Sequence, residues 1–236
     1  MKNINIPYTL RRSKRKSLSI QIKHGQVFVL APYRYPVAQI EQFMRDKSSW
    51  IQQHLQNSQA KQALKDQFTL AYGDTIPYRG QRVTLVATDK PATHHNHPPV
   101  YTPDTNCLHL PQNLDSDQIK AACIHWYKQQ AKAHTTARTA HYTPLMGQSP
   151  ASLKVSSAKT RWGSCSSRRT VTFSWRLMMA SDSAIDYVVV HELAHLWEMN
   201  HSAKFWAHVA RVMPDYEQRM AQLRATERQL SEQNWE

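Results

Sequence analysis

A histidine pair separated by three residues is the part of this 236-residue sequence most able to do chemistry. His191 and His195 enclose Glu192 in the segment HELAH, within YVVVHELAHLWEMNHSAKF. The neighbouring apolar residues recur at helical intervals, so the two imidazoles lie one turn apart on one helix face and can bind one metal ion. Glu192 falls close to the apolar stripe, where a carboxylate is costly without a partner. The pattern predicts a metal site with a carboxylate beside it.

A catalytic zinc ion generally takes three protein ligands and keeps one position open. His201 follows His195 by six residues, the interval of the metzincin pattern H-E-x-x-H-x-x-G-x-x-H, but Glu198 replaces its glycine. We therefore expect a different turn, with Asn200 in a left-handed conformation. His208 and Glu198 are the alternative third ligands, and His201 is the predicted one.

The chemistry of such a site is metal-assisted hydrolysis. One Zn²⁺ held by neutral imidazoles lowers the pKa of water to about 7, and polarises a carbonyl or phosphoryl oxygen. Glu192 can accept the proton of the attacking water and return it to the leaving group. Asp186 or another acceptor could orient a histidine. Zinc is inferred from ligand type, because imidazole also suits other first-row metals.

The positive charges are concentrated in two segments. The net charge is +13. Residues 1–40 contain eight Lys or Arg and no acidic residue, and residues 154–181 contain six Lys or Arg and no acidic residue. Such segments form either a solvated basic surface or a surface for nucleic acid, nucleotides or an acidic membrane leaflet.

The second basic segment contains the candidate substrate-binding residues. These are Arg161, Trp162, Arg168 and Arg176. Arginine forks suit phosphate oxygens and tryptophan can stack on a base, although aromatic residues in hairpins more often pack in the core. A strand in the same segment could instead pair with an extended peptide through main-chain hydrogen bonds. Polypeptide and nucleotide substrates therefore both stay open.

The elements expected to position these residues are mixed. Residues 18–30 predict a hairpin about Gly25, Val37–Gln59 a helix, and 69–88 further strands. The proline-rich residues 91–103 predict an exposed loop in which His94, His95 and His97 face solvent, and we place the division between regions 1–112 and 113–236 near it. The first region is basic and β-rich with one helix.

The second region predicts three helices and a pair of strands. A long helix covers Asp115–Tyr142, and strands follow in 153–179 around a turn near Ser166–Arg169. A helix that begins near Ser183 carries the histidine pair. A last helix spans 203–230 and is kinked at Pro214.

Targeting signals and cysteine usage give the expected compartment. The sequence has no run of 18 apolar residues and no apolar stretch after the basic N-terminus. Cys107, Cys123 and Cys165 are odd in number and far apart, which favours free thiols in a reducing compartment. We expect a cytoplasmic protein without a membrane partner.

Three separated motifs resemble those of the YgjP-like metallopeptidases, relatives of the SprT-like zincins. They are RWGSCSS at 161–167, FSWRLMMA at 173–180 and YVVVHELAHLWEMNHSAKFW at 187–206, with further likeness in RRSKRKSLSI and WIQQHL. The resemblance implies an α+β fold with a zincin-like core of antiparallel strands, the HExxH helix and a C-terminal helix. It also implies that His191, His195 and His201 hold zinc and that Glu192 is the catalytic base.

Three functions follow as hypotheses. The first is a zinc metallopeptidase. The second is a zinc-dependent phosphohydrolase that acts on a nucleoside triphosphate at the same site. The third is a nucleic-acid-binding protein with a structural metal, against which Glu192 argues, because a structural site closes its fourth position with Cys or His.

Overall fold

The computed structural model describes residues 6–23, 25–88 and 99–235. Its described part is mixed α+β, as predicted, with six α-helices and three small sheets. The chain divides into two compact units, one up to Phe68 with Ser231–Asn234 and one from Thr69 to Leu230 with the C-terminal residues. This division lies N-terminal to the predicted one at 112/113. His94, His95 and His97 lie outside the described residues.

The first unit contains a three-stranded sheet. Its strands are β1 Tyr8–Ser13, β2 Ser19–Lys23 and β3 Gln26–Pro32, in the order β1-β3-β2. β2 and β3 form the predicted hairpin, in which Gly25 has φ +70°. β1 pairs parallel to β3. β1 is not predicted from the sequence, because arginine interrupts its apolar alternation.

Two helices cover one face of this sheet. They are α1 Val37–Asp46 and α2 Ser48–Asp66, where one helix is predicted. The break lies at Lys47, whose φ of −99° and ψ of 7° leave the helical region. Val27, Val29 and Ala31 of β3 pack with Ile40 and Ile51 in the core of the unit.

The second unit begins with a four-stranded mixed sheet. Its strands are β4 Thr75–Tyr78, β5 Gln81–Ala87, β6 Val100–Thr102 and β7 Cys107–Leu110, in the order β4-β5-β7-β6. The long helix α3, Ser116–Met146, packs against it. Trp126 of α3 lies 4.6 Å from the ring of Tyr78, and Tyr127 donates a hydrogen bond to the Pro77 carbonyl. This aromatic packing explains why residues 69–112 join the second unit.

A further sheet follows α3. Its strands are β8 Ser152–Ser156, β9 Gly163–Cys165 and β10 Thr170–Ser174, in the order β8-β10-β9. The prediction of antiparallel strands is wrong for one pair. β9 and β10 form the antiparallel hairpin around Arg169, which has φ 59°, but β8 pairs parallel to β10 because the loop at 157–162 returns the chain before β9.

The last three helices carry the histidines and their support. After a short 3-10 helix, Trp175–Met179, come α4 Asp182–Ala194, α5 Ala203–Val212 and α6 Tyr216–Leu230. α4 begins one residue before Ser183, because Ser181 caps it by accepting from the Ala184 amide. Pro214 lies in the break between α5 and α6, where the sequence predicts a kink.

None of the helices in the described ranges combines the length and apolar character needed to cross a bilayer.

Candidate metal centre and active site

Three imidazoles converge at the C-terminal end of α4. His191 lies in its last turn, His195 caps it, and His201 lies in the loop before α5. The ring centroids are 4.8 to 5.0 Å apart. One nitrogen from each ring lies within 4.8 Å of the others. The interval between His195 and His201 therefore brings the third imidazole to the first two.

The alternative ligands lie elsewhere. His208 stacks on Trp197 with the ring planes 9° apart. Glu198 contributes its backbone carbonyl, which accepts a hydrogen bond from His195 Nδ1 at 3.0 Å. Asn200 is absent from the described non-glycine residues with positive φ, so the predicted left-handed turn is wrong. Instead, Asn200 Oδ1 accepts from the Ser202 amide at 3.1 Å and closes the turn before α5.

Neighbours of the histidines orient their ring nitrogens. Because the Glu198 carbonyl can only accept, His195 carries its hydrogen on Nδ1 and leaves the Nε2 lone pair available. His191 Nδ1 faces the Tyr187 hydroxyl at 3.4 Å, while its Nε2 faces His201 Nε2 at 3.0 Å. Asp186 does not take this orienting role. It pairs with Arg138 of α3 at 2.5 Å and accepts from the Tyr142 hydroxyl.

Phe205 supports the three rings from α5. It is fully buried, and its ring centroid lies 4.6 to 4.9 Å from those of all three histidines. Ser202 fixes the start of α5 by accepting from the Phe205 amide. The Asn200 turn, the Ser202 cap and Phe205 together set where His201 lies.

Glu192 is buried beside the histidines without a polar partner. Glu192 is only 5% exposed, and its Oε2 atom has no hydrogen-bond partner among the described protein atoms. Burial raises the pKa of Glu192 to about 8 in the metal-free protein, against the opposing charge of Arg161. Burial also lowers the pKa of His191 to about 3, and lowers that of His195. The neutral imidazole is the form that binds a metal.

Gly163 makes room for Glu192. A Cβ built on this first residue of β9 would lie 2.5 Å from Glu192 Oε1 and 2.7 Å from Cγ. Any side chain there would displace the carboxylate or the strand. The edge of the sheet thus approaches Glu192 as closely as a glycine permits.

Two cavities adjoin the carboxylate. One, of about 260 Å³, lies between β9 and the histidines, with Cys165 and Met199 in its wall. The other, of about 280 Å³, lies between β9, α4 and α6 and is lined by Trp162, Val188, Met220 and Leu223, with Arg224 and Glu227. His191, Glu192 and Gly163 border both cavities. A bound molecule could therefore span the site with the carboxylate near its middle.

The predicted substrate-binding residues lie at different distances from this centre. Trp162 lines the second cavity, and Arg161 is exposed but close enough for its charge to act on Glu192. Arg168 is exposed on the hairpin turn. Arg176 stacks on Trp175 and donates to the Ser157 carbonyl at 3.1 Å. Of the four, Trp162 and Arg161 are the ones that the fold brings toward Glu192.

The roles of Gly163, Tyr187 and the α6 residues Met220 and Leu223 are not predicted from the sequence. Gly163 could have been suspected from its isolation within a strand, which signals a close approach. Tyr187 precedes His191 by one helical turn, which is a readable spacing. The α6 residues carry no such signal, because only the tertiary fold brings that helix to the cavity.

The residues present fit a metal ion. Three ring nitrogens converge, and the 3.0 Å separation of two of them is close to the roughly 3.3 Å expected between ligands of tetrahedral zinc. The partnerless Oε2 of Glu192 suits a water molecule held there. The three described ligands are all imidazoles and include no thiolate. Such a ligand set is typical of hydrolytic zinc sites.

Comparisons with known proteins place the chain in a family. It is similar to the crystal structure of the metallopeptidase zymogen of Pyrococcus abyssi abylysin, at 20% identity and a TM-score of 0.37, over 42% of this chain and 97% of that one. Curated proteins gave no match. The sequence model of the YgjP-like metallopeptidase domain matches residues 16–226. Because this match spans most of the chain, the protein belongs to the YgjP-like metallopeptidase family.

Proposed function

We propose that the protein is a zinc-dependent peptidase in which His191, His195 and His201 hold one zinc ion and Glu192 is the general base. The observation that carries the proposal is the buried carboxylate of Glu192, whose Oε2 lacks a polar partner beside three converging imidazoles. Burying such a group is costly unless a bound molecule satisfies it.

Each residue then has a defined task. A zinc ion in this site supplies a Lewis acid that makes water nucleophilic near neutral pH. Glu192 Oε2 accepts the proton of the attacking water and passes it to the leaving amine. The Glu198 carbonyl holds the His195 tautomer, and Tyr187 faces His191 Nδ1. Burial raises the pKa of Glu192 to about 8 in the metal-free protein. The positive charge of a bound zinc ion would lower this pKa, so that the carboxylate is ionised and can accept a proton near neutral pH.

The edge of β9 is the proposed place of the substrate backbone. β9 pairs with β10 along one side only within the described sheet, and Gly163 borders both cavities beside Glu192. An extended peptide can add to such an edge through main-chain hydrogen bonds. One side chain of the peptide would enter the 280 Å³ cavity, where Trp162, Val188 and Leu223 favour a large apolar group.

A nucleotide is the second candidate substrate. The charge of Arg161 acts on Glu192, and Arg224 lines the larger cavity next to Trp162. Arginine and an aromatic ring are what a phosphate and a base would require. The peptide is preferred because Glu227 lines the same cavity and would repel a polyphosphate. A purely structural metal would leave the buried carboxylate unexplained.

The three cysteines support a reducing compartment for this activity. Cys107, Cys123 and Cys165 are free thiols. We therefore also propose that the enzyme works in the cytoplasm.

The test is a paired assay of zinc-loaded protein and its Glu192→Gln variant against unfolded polypeptides and against nucleoside triphosphates. We expect peptide cleavage by the wild type and a loss of at least about 100-fold in Glu192→Gln. Glu192-dependent release of phosphate or pyrophosphate would replace the peptidase by the nucleotide hydrolase. Zinc-dependent folding with neither activity would support the structural metal.

A matched variant tests the substrate cavity. Leu223→Trp should fill it and slow the cleavage of peptides with a large apolar side chain more than of peptides with alanine there. Thr226→Trp, one turn along the same helix, is the control for a bulky change on α6. Equal loss for both peptides would argue against this cavity as the side-chain site.

A further inference from the structure

The first unit carries exposed cations and an exposed tyrosine that have no role in the proposed peptidase reaction. Its described residues from Ile6 to Ile40 include seven Lys or Arg and no acidic residue. The fold decides whether these cations are dispersed or form one surface.

The register of the sheet gathers most of them at one end. β1 and β3 run parallel, with Ser13 paired to Pro32, so the chain leaves both strands at the same end of the sheet. β2 begins at that end, where Ser19 pairs with Leu30. The loop after β1 holds Lys14, Arg15 and Lys16, and the turn after β3 holds Tyr33 and Arg34. These two connections therefore lie next to each other.

Internal hydrogen bonds fix the shape of this end. The Arg12 guanidinium donates to the carbonyls of Pro32, Tyr33 and Tyr35 at 2.8 to 3.0 Å, which ties β1 to the turn after β3. Arg15 donates to the Ser17 carbonyl and to Ser19 Oγ. These two arginines order the backbone and leave the neighbouring side chains to contact solvent.

The remaining side chains point outward. Lys14, Lys16 and Arg34 are exposed, and Tyr33 is 65% exposed, the highest value among the large hydrophobic residues described. Arg11 extends the set onto the outer face of the sheet, where its guanidinium lies 4.5 Å from the Phe28 ring centroid. We name these five residues the basic sheet end: Arg11, Lys14, Lys16, Tyr33 and Arg34.

We propose that the basic sheet end binds single-stranded nucleic acid, with Tyr33 stacking on a base and the four cations contacting phosphates. An exposed aromatic ring on a turn whose backbone is fixed by Arg12, among cations without a nearby acid in sequence, matches alternating bases and phosphates. A solvated basic surface would not require an exposed tyrosine among its cations. An acidic membrane would also attract the cations, and anionic vesicles are therefore the competing ligand in the binding test. This surface would tether the enzyme to nucleic acid or to proteins bound there.

The test measures binding of a labelled oligothymidylate of about 15 nucleotides by fluorescence anisotropy. The full zinc-loaded chain carries Glu192→Gln, so that the probe is not consumed. Four phosphate contacts predict a salt slope of about −2.8, or roughly a 50-fold loss of affinity between 50 and 200 mM salt. Lys14→Gln with Lys16→Gln should lower the slope to about −1.4.

Tyr33 separates stacking from charge. Tyr33→Ser should weaken binding at least about fivefold, whereas Tyr33→Phe should bind like the parent. Lys61→Gln, an exposed cation on α2, is the matched charge control and should change neither affinity nor slope. The proposal is overturned if Tyr33→Ser binds like Tyr33→Phe, or if the Lys14 and Lys16 changes match the Lys61 change. Binding of phosphatidylglycerol vesicles in preference to the oligonucleotide would assign the surface to a membrane instead.

Discussion

Gly163→Ala is the substitution that most directly examines how the strand edge and the carboxylate share space. The added Cβ would lie 2.5, 2.7 and 2.8 Å from Oε1, Cγ and Cδ of Glu192, about 1 Å closer than ordinary contact. The carboxylate would have to move into one of the two adjoining cavities, away from its place beside the histidines. A displacement of about 1 Å at a reacting group can cost roughly 100-fold in rate. We expect a comparable fall in kcat/KM with zinc content unchanged.

Stability gives an independent measure of the same contact. Forcing a methyl group into a packed site costs about 1–3 kcal/mol. In a Glu192→Ala background the methyl group has the space of the missing carboxylate, so Gly163→Ala should cost much less there. Urea denaturation of the four proteins of this cycle measures the coupling. The steric account fails if Gly163→Ala keeps full activity, or if its stability cost is the same in both backgrounds.

Other predictions follow from the packing of the second unit. Phe205→Ala should cost about 3–5 kcal/mol of unfolding free energy and lower zinc affinity, whereas Phe205→Leu should retain most of both; denaturation and zinc titration measure them. Burial and then the charge of Arg79 lower the pKa of His134, so the folded protein resists protonation that the unfolded chain accepts below pH 6.5. The free energy of unfolding should therefore fall with pH below that value, and less steeply in His134→Gln. Arg138→Met should destabilise by about 1.5–3 kcal/mol, which thermal unfolding would detect, because Asp186 keeps the Tyr142 hydroxyl and has Arg219 at 3.9 Å.

The helical spacing of the histidine pair is the part of the site most readable from sequence. His191 and His195 follow from a local period, because one helix positions both. The position of His201 depends on the turn before α5. The six-residue interval from His195 suggests that turn, but it does not give the turn's geometry, which Asn200 fixes through its side chain. The partnerless state of Glu192 and the cavity beside α6 arise from tertiary packing and have no local signal.

Local elements of the fold are likewise predictable from the sequence, whereas contacts between distant segments are not. The Gly25 hairpin follows from turn chemistry, and the long helix α3 is predicted from its sequence. The capping box of Asp115 with Gln118, which the sequence analysis does not use, fixes the start of α3. The parallel pairing of β8 with β10, and the packing of residues 69–112 on α3, join segments distant in the chain. Such pairings depend on which apolar faces meet, and single-sequence periodicity does not encode partner choice.

Zinc content after dialysis against a weak chelator tests the central claim most directly, with His201→Ala and His208→Ala as a matched pair. Both residues are histidines near α5, but only His201 faces the other two imidazoles. We predict about one zinc ion per chain in the wild type, in His208→Ala and in Glu192→Gln, and a large loss in His201→Ala. Full zinc content in His201→Ala, or its loss in His208→Ala, would contradict the three-histidine site.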